Sequence, residues 1–433
     1  MSTEDHPKLR NRFKQLIRKE DLGLLLTSIL LQLVLGLLFG HVYDQRIFMA
    51  TGYLVATGQN PYLPQDLTTV FQNPAFQGMT TIGYPPPWPI LLGIIYLLSY
   101  HLFHNLLIYN LAIKLPIIIA NLVMAYLVRD ILKEQSASIK TAHKAWIFLL
   151  FNPFLLYFST AWGQFDSLVA VVTLAALVLL NRRRLVFSSV LLALAISLKP
   201  TPIAVILAVV VYLWGPPWQR LLRYLVAFTL SMFTFCILPF ILLNWDASPI
   251  LQNWNAQFTV SGGMSLMTYY ELLNDTYLLP GMWWLLGIAW IPAILLGILL
   301  LKPGRHNFLE LLKQSLLLTL IFFLTRTWLS EQNLILILPM VLILVSLGEL
   351  PKYTLTVTWV VPLIFTVFNT SPPQLLFPIL PELMERLLQW MDNFRSARLV
   401  LRMLLVIPWQ GIGWWMVLRG LRSGLRKTTT IPV

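Results

Sequence analysis

The sequence predicts an all-α protein, a polytopic bundle of transmembrane helices, and three observations carry that prediction. Of the 433 residues, 57% are hydrophobic and only 11% are charged, with a mean hydropathy of +0.72; soluble domains carry about a quarter charged residues. Apolar runs close to the ~20 residues that cross a bilayer recur along the chain. They are Leu-rich and lack the alternating polar face of a membrane barrel, so the backbone must satisfy itself within helices. Short basic clusters separate the runs, among them HPKLRNRFKQLIRKE, NRRR, PPWQRLLR, KPGRH and LRGLRSGLRK. That placement explains the net charge of +13 as a positive-inside signal and removes the reason to invoke a nucleic-acid partner.

Taken in order, a basic cytoplasmic segment (1–20) precedes a first span at roughly 22–40, which lacks a small-residue cleavage site and reads as a retained helix. A long external loop, 42–87, follows and includes the amphipathic run QRIFMATGYLVAT, expected to lie along the membrane surface. From Trp146 onward the alternation of basic and non-basic loops is self-consistent. It includes a second external loop, 244–280, that holds Asp246, Glu271 and Asp275 but no Lys or Arg. Residues 88–132 conflict with it. Two apolar segments stand where an odd number of crossings is needed, so one is short or re-entrant, or the loop KEQSASIKTAHK faces outward. The total is about 12 or 13 spans. Residues 21–350 read as one membrane module, and 351–433 as variable C-terminal helices with a basic cytoplasmic tail.

Once the spans are oriented, the unusual polar residues fall at one end of the bundle: Asp44, Arg46, Tyr84, Gln164, Asp166, Lys199, Arg326, Glu331 and Gln332. Ionisable groups at membrane depth are costly and normally face a cavity and one another, so the set points to a site. Singly, each has a plainer reading. Asp44 and Asp166 could be N-caps of the helices that follow them, and Lys199 could snorkel to the interface. Glu331 needs a partner, and Arg326 is close enough in sequence to supply one. Lys114, inside LAIKLP, either lines the cavity or marks a misplaced span boundary. Other chemistries are set aside. The six histidines form no HExxH spacing, and no P-loop or GxGxxG opens a helix. Cys236 reads as a small core residue. The glycosylation patterns at Asn274 and Asn369 matter only in a eukaryotic lumen.

The early Asp44, then GQNPY, YPPPWP, WGQFDS, LKPTP and WLSEQN, in that order over roughly 20–350, resemble the GT-C superfamily of integral membrane glycosyltransferases, most closely its mannosyltransferase-type branches. The resemblance implies a polyprenyl-phosphate hexose donor, with mannose favoured, and a glycan or glycolipid acceptor whose hydroxyl attacks with inversion on the external side. It implies Asp44 as general base, and Lys199, Arg326 and Arg46 as ligands of the leaving phosphate. Asp166, Gln164, Glu331, Gln332 and Tyr84 would contact the sugar or acceptor. Many such enzymes carry two adjacent acids after the first span, whereas here Gln45 and Arg46 follow Asp44. No obligatory metal is therefore expected. A lipid or glycolipid transporter would also gather polar groups, but at the midplane and with inverted repeats; a scaffold subunit would not need WGQFDS and SEQN in one compartment. A prokaryotic cell membrane fits better than the endoplasmic reticulum, since neither a retention signal nor a cysteine pair is present.

Overall fold

The computed structural model describes residues 19–78, 81–256, 260–270, 282–301, 307–369 and 371–426. Glu271, Asp275, the sequon at Asn274, the KPGRH loop and most of the N-terminal basic segment lie outside them. Among the described residues the regular structure is helical apart from two residue pairs in a parallel ladder and isolated bridge positions such as Gly40–Leu376. Six helices among the described residues are long and apolar enough to cross a membrane, and seven shorter apolar helices accompany them there. The chain is an integral membrane protein, as the composition predicts.

Helix α1 (Lys19–Leu38) is the first span, and α2 (Val42–Ala56) follows after a three-residue break. Eight of the fifteen α2 residues are buried, including Phe48, Met49 and Leu54. The helix therefore packs against the bundle core. Its close partner is α3 (Pro87–Leu98). Contact needs a small residue at the crossing, because a Cβ on Gly52 would fall 2.7 Å from the Leu92 carbonyl oxygen.

The conflict in 88–132 resolves towards a short first segment. Helix α3 has 12 residues, about 18 Å at the helical rise, against a hydrocarbon core of about 30 Å. A turn at Tyr100–Phe103 follows, and then the 29-residue α4 (Leu106–Glu134). Helix α5 (Ile139–Phe151) continues through Pro153–Leu155 into a π-helical turn, Leu156–Trp162, so that 139–162 forms one span. A hairpin follows, α6 (Asp166–Asn181) and α7 (Leu185–Leu198), then α8 (Ile203–Leu213) and α9 (Gln219–Met232). Later come α10 (Trp290–Leu300), α11 (Phe308–Thr325), a 3-10 turn Glu331–Leu336 leading into α12 (Leu338–Ser346), α13 (Lys352–Phe368), α14 (Pro381–Asp392) and α15 (Arg395–Arg426).

Two devices hold α1, α4 and the π-helical turn together. Inside the bundle, Asn121 Nδ2 donates to Gln32 Oε1 at 2.8 Å and to Ser159 Oγ at 2.8 Å, and Thr160 Oγ1 donates to the same Gln32 oxygen. Interhelical hydrogen bonds of this kind act as glue where lipid supplies no hydrophobic drive. Nearer the site, the last carbonyls of α1 have no helical partner. Asn110 Nδ2 donates to the Gly36 and Phe39 oxygens at 2.8 and 2.9 Å. Lys114 Nζ donates to Gly36, Phe39 and, at 3.1 Å, to Ala161 at the end of the π-helical turn. Fully buried Lys114 thus joins the C-terminal ends of two helices, where its N–H groups satisfy carbonyls left open by the helix ends. It neither lines a cavity nor marks a wrong boundary.

The NPY motif serves as scaffold. Asn60 donates to the Asp246 carbonyl, and the Tyr62 hydroxyl donates to the Tyr84 carbonyl at 3.0 Å. The buried Tyr62 ring packs on Phe240 and Trp245, so the two long loops form one layer. Trp254 Nε1 adds a bond to the Gly83 carbonyl. The second loop is also stapled to the WLSEQN segment, since Gly262–Gly263 pairs in parallel with Trp328–Leu329.

Candidate active site

Asp44 occupies the first turn of α2, but His41 is the N-cap and no side-chain cap bond is made. The capping explanation for Asp44 therefore does not hold. Its Oδ2 accepts from Trp162 Nε1 at 2.6 Å and lies 3.5 Å from His41 Nδ1. Oδ1 makes no hydrogen bond with the described residues. The His41 ring stacks on the Trp162 indole, centroids 3.9 Å apart and planes 4° apart. Its Nε2 meets Gln374 Oε1 at 2.6 Å. Burial pushes the His41 imidazole below its ordinary pKa; Asp44 and Gln374 oppose that, and Arg46 adds to it. The ring is thus neutral at physiological pH.

Trp162 can reach Asp44 because the chain turns sharply behind it. Gly163 adopts φ +98°, and the Gln45 amide fills the space where its side chain would be, donating to the Trp162 carbonyl at 3.2 Å. An added Cβ would lie 1.8 Å from Gln45 Nε2 and 2.9 Å from Lys114 Cε. Gly163→Ala is therefore expected to cost about 1–3 kcal/mol from backbone strain alone, more with the clash. The variant should show a lowered thermal midpoint in detergent together with reduced activity. An unchanged midpoint would remove this turn as the device that places Trp162.

Asp166 opens α6 at its first helical position, behind the N-cap Phe165. It pairs with Lys199, which follows α7, through two contacts of 2.8 Å. Both side chains are buried, so Asp166 is not merely a cap and Lys199 does not snorkel. Aromatic rings frame the pair. Trp88 of YPPPWP stacks on Phe165 of WGQFDS at 4.2 Å, Tyr84 meets Phe165 edge-on at 4.9 Å, and Lys199 Nζ sits 5.6 Å from the Tyr84 ring centre. Burial first, and then the charges of Asp44 and Asp166, raise the Tyr84 hydroxyl well above its ordinary pKa. Asp44, Tyr84, Asp166 and Lys199 are thereby one electrostatic neighbourhood. Gln164, between Trp162 and Asp166, is buried and its Oε1 has no hydrogen-bond partner.

Glu331 and Arg326 are arranged differently from the expected pair. Glu331 is buried and accepts from Asn369 Nδ2 at 2.9 Å; Asn369 Oδ1 in turn accepts from Arg402 Nη1 at 2.7 Å. Tyr157 senses the Glu331 charge and packs edge-on against Trp162 at 6.2 Å, which connects SEQN to the Asp44 cluster. Gln332 is half-buried beside it. Arg326, at the end of α11, lies over the Phe322 ring at 5.2 Å and has no carboxylate partner among the described residues. Desolvation lowers its guanidinium to about 10, still protonated at neutral pH. Arg46 is committed to the backbone: Nε donates to the Val42 carbonyl at 2.7 Å and Nη1 to that of Ala75.

Sequence reasoning missed Trp162, His41 and Gln374 as neighbours of Asp44. Trp162 lies in the WGQFDS motif, but an aromatic residue at a span end reads as ordinary packing. His41 has no ligand spacing with the other histidines, and nothing local marks it as a partner of Asp44. Gln374 belongs to 371–377, which closes on the first loop through Gly40 N donating to the Leu375 carbonyl at 2.8 Å; no local pattern signals that pairing. Among the described residues, no group of three or more His, Cys, Asp or Glu could hold a metal ion.

In this helical membrane bundle a carboxylate fixed at the end of the first span stands near a buried Asp–Lys pair. Residues 43–216 match the model of the MptA/B family, described as Alpha-(1->6)-mannopyranosyltransferase, N-terminal domain. The matched segment contains Asp44, Arg46, Tyr84, Gln164, Asp166 and Lys199, and the similarity agrees with the resemblance to the mannosyltransferase-type branches. No curated protein matches the chain.

Proposed function

We propose that the protein transfers mannose from a polyprenyl-phosphate donor to an acceptor hydroxyl on the external face of a prokaryotic cell membrane, with inversion at the anomeric carbon. One observation carries the reading: Asp44 has one carboxylate oxygen fixed by Trp162 while the other makes no bond to the described residues. A general base needs that arrangement, an oriented group with an open acceptor atom. Oδ1 takes the proton of the attacking hydroxyl as its oxygen bonds to the anomeric carbon and the bond to phosphate breaks.

The leaving phosphate needs cationic stabilisation and no strong general acid. Arg326 suits that role best, because it is a desolvated cation without a carboxylate partner among the described residues. Lys199 is already matched by Asp166, so its contribution is to hold that carboxylate and offer its remaining N–H. Arg46 anchors the first loop behind the site. The unpartnered Gln164 oxygen, the Tyr84 hydroxyl, Asp166, Glu331 and Gln332 are the groups for sugar and acceptor hydroxyls.

An α-linked product made by inversion requires a β-linked donor. Purified protein in nanodiscs, given β-linked polyprenyl-phosphate mannose and an α-mannoside acceptor, is expected to give an α-1,6 linkage by NMR. Transfer only from an α-linked donor would overturn the inverting mechanism.

A further inference from the structure

The surroundings of His41 hold more than a base needs for orientation, and the inference drawn from them rests on the proposed role of Asp44. Each ring nitrogen faces an acceptor: Nε2 lies 2.6 Å from Gln374 Oε1, and Nδ1 lies 3.5 Å from Asp44 Oδ2. An amide oxygen beside Nε2 fixes the proton of the neutral ring on that nitrogen. Nδ1 is then a bare lone pair, buried and without a hydrogen bond, pointed at a carboxylate. For a resting state this is a poor contact, because two acceptors face one another. It becomes a good one the moment Asp44 gains a proton.

We propose that His41 is the proton acceptor behind Asp44, with Gln374 setting its tautomer. Asp44 takes the acceptor hydroxyl's proton on Oδ1. The carboxyl group then turns about its terminal torsion, which is two-fold and soft, and brings the protonated oxygen to Nδ1. The O–H bond breaks as the Nδ1–H bond forms. The carboxylate is regenerated, and the imidazolium has both N–H groups placed, one on Asp44 and one on Gln374 Oε1. Overall one proton moves from the acceptor oxygen to His41, one C–O bond forms and the bond to phosphate breaks.

The stacked Trp162 ring keeps the imidazole plane fixed during the transfer. Two charged groups act on His41. Asp44 favours the imidazolium and Arg46 disfavours it, while burial keeps the ring neutral between turnovers. His41 and Gln374 are positioning and proton-holding residues, and Asp44 alone touches the reacting hydroxyl. Gln374 lies outside the matched segment 43–216, so the C-terminal part of the chain takes part in the chemistry.

The test is the pH dependence of single-turnover transfer by full-length protein in nanodiscs, with polyprenyl-phosphate mannose at saturation. His41 must be neutral to accept, so the wild-type rate falls as pH drops through its pKa. Gln374→Glu places a negative charge on Nε2–H, favours the imidazolium and should move the acid limb up by about one pH unit or more. Gln374→Leu removes the acceptor and should move the limb down. His41→Gln should lower the rate about 10²-fold with donor KM unchanged. Thermal midpoints report folding, and Gln374→Glu, the mildest change, keeps the test decisive if His41→Gln does not fold. An acid limb that stays in place in both Gln374 variants overturns the proposal. If Asp44→Asn is inactive while His41→Gln turns over like wild type, Asp44 stands as base and only the His41 step falls. Retained turnover in Asp44→Asn would instead remove the underlying reading.

Discussion

Replacing Asp44 with Asn should reduce transfer by about 10²- to 10⁴-fold, the usual contribution of a positioned general base, while leaving the protein folded. The two effects separate because of how the carboxylate is held. The amide oxygen of Asn can still accept from Trp162 Nε1, which now bonds Asp44 Oδ2 at 2.6 Å. His41 remains stacked on Trp162 and bonded to Gln374. The variant loses the ability to take a proton and little else, so its stability, read from the thermal midpoint in detergent, should match wild type within about 1 kcal/mol. Donor KM should change little, since the missing interaction forms only in the transition state. A variant with wild-type kcat would show that the open oxygen is not the base.

The second large effect is on stability. Lys199→Ala strands Asp166 as a buried carboxylate among Phe165, Trp88 and Tyr84. Removing one partner of a buried pair typically costs about 3–5 kcal/mol, because the remaining charge has lost its compensation. Lys199→Ala should therefore lower the thermal midpoint sharply, and Asp166→Asn combined with Lys199→Met should recover most of the loss. The double variant should still fail to transfer sugar if the pair also serves the substrate. Denaturation curves of the three proteins check this, and equal midpoints for wild type and Lys199→Ala would refute the burial argument.

The fold class was legible because membrane insertion is written in composition: few charges, Leu-rich runs and basic clusters between them. Much of the candidate site was legible for a related reason. Asp44, Asp166 and Lys199 are expensive at their depth, so polar residues at span ends stand out against an apolar background. What was hidden is pairing. Glu331 looked towards Arg326 five residues away, yet its partner is Asn369, beyond two further helices. Lys114 looked like a cavity residue, yet it serves the carbonyls left open by two helix ends. Lys199 reads as a snorkelling terminus or a phosphate ligand, yet Asp166 stands opposite it at 2.8 Å. Which of the two apolar segments in 88–132 is the short one is hidden as well, because hydropathy marks apolar material and says nothing of how far it reaches. Such contacts join residues tens to hundreds of positions apart, and spacing along the chain does not encode them.

The central claim, that this polar cluster makes a covalent bond and is not a lipid-transport path, is tested most directly in proteoliposomes. Protein reconstituted with radiolabelled polyprenyl-phosphate mannose and a mannoside acceptor should convert label into a glycosidic product, and Asp44→Asn should not. Label that crosses the bilayer with the lipid, with no covalent product from any polyprenyl-phosphate hexose, would contradict the account and make the protein a transporter.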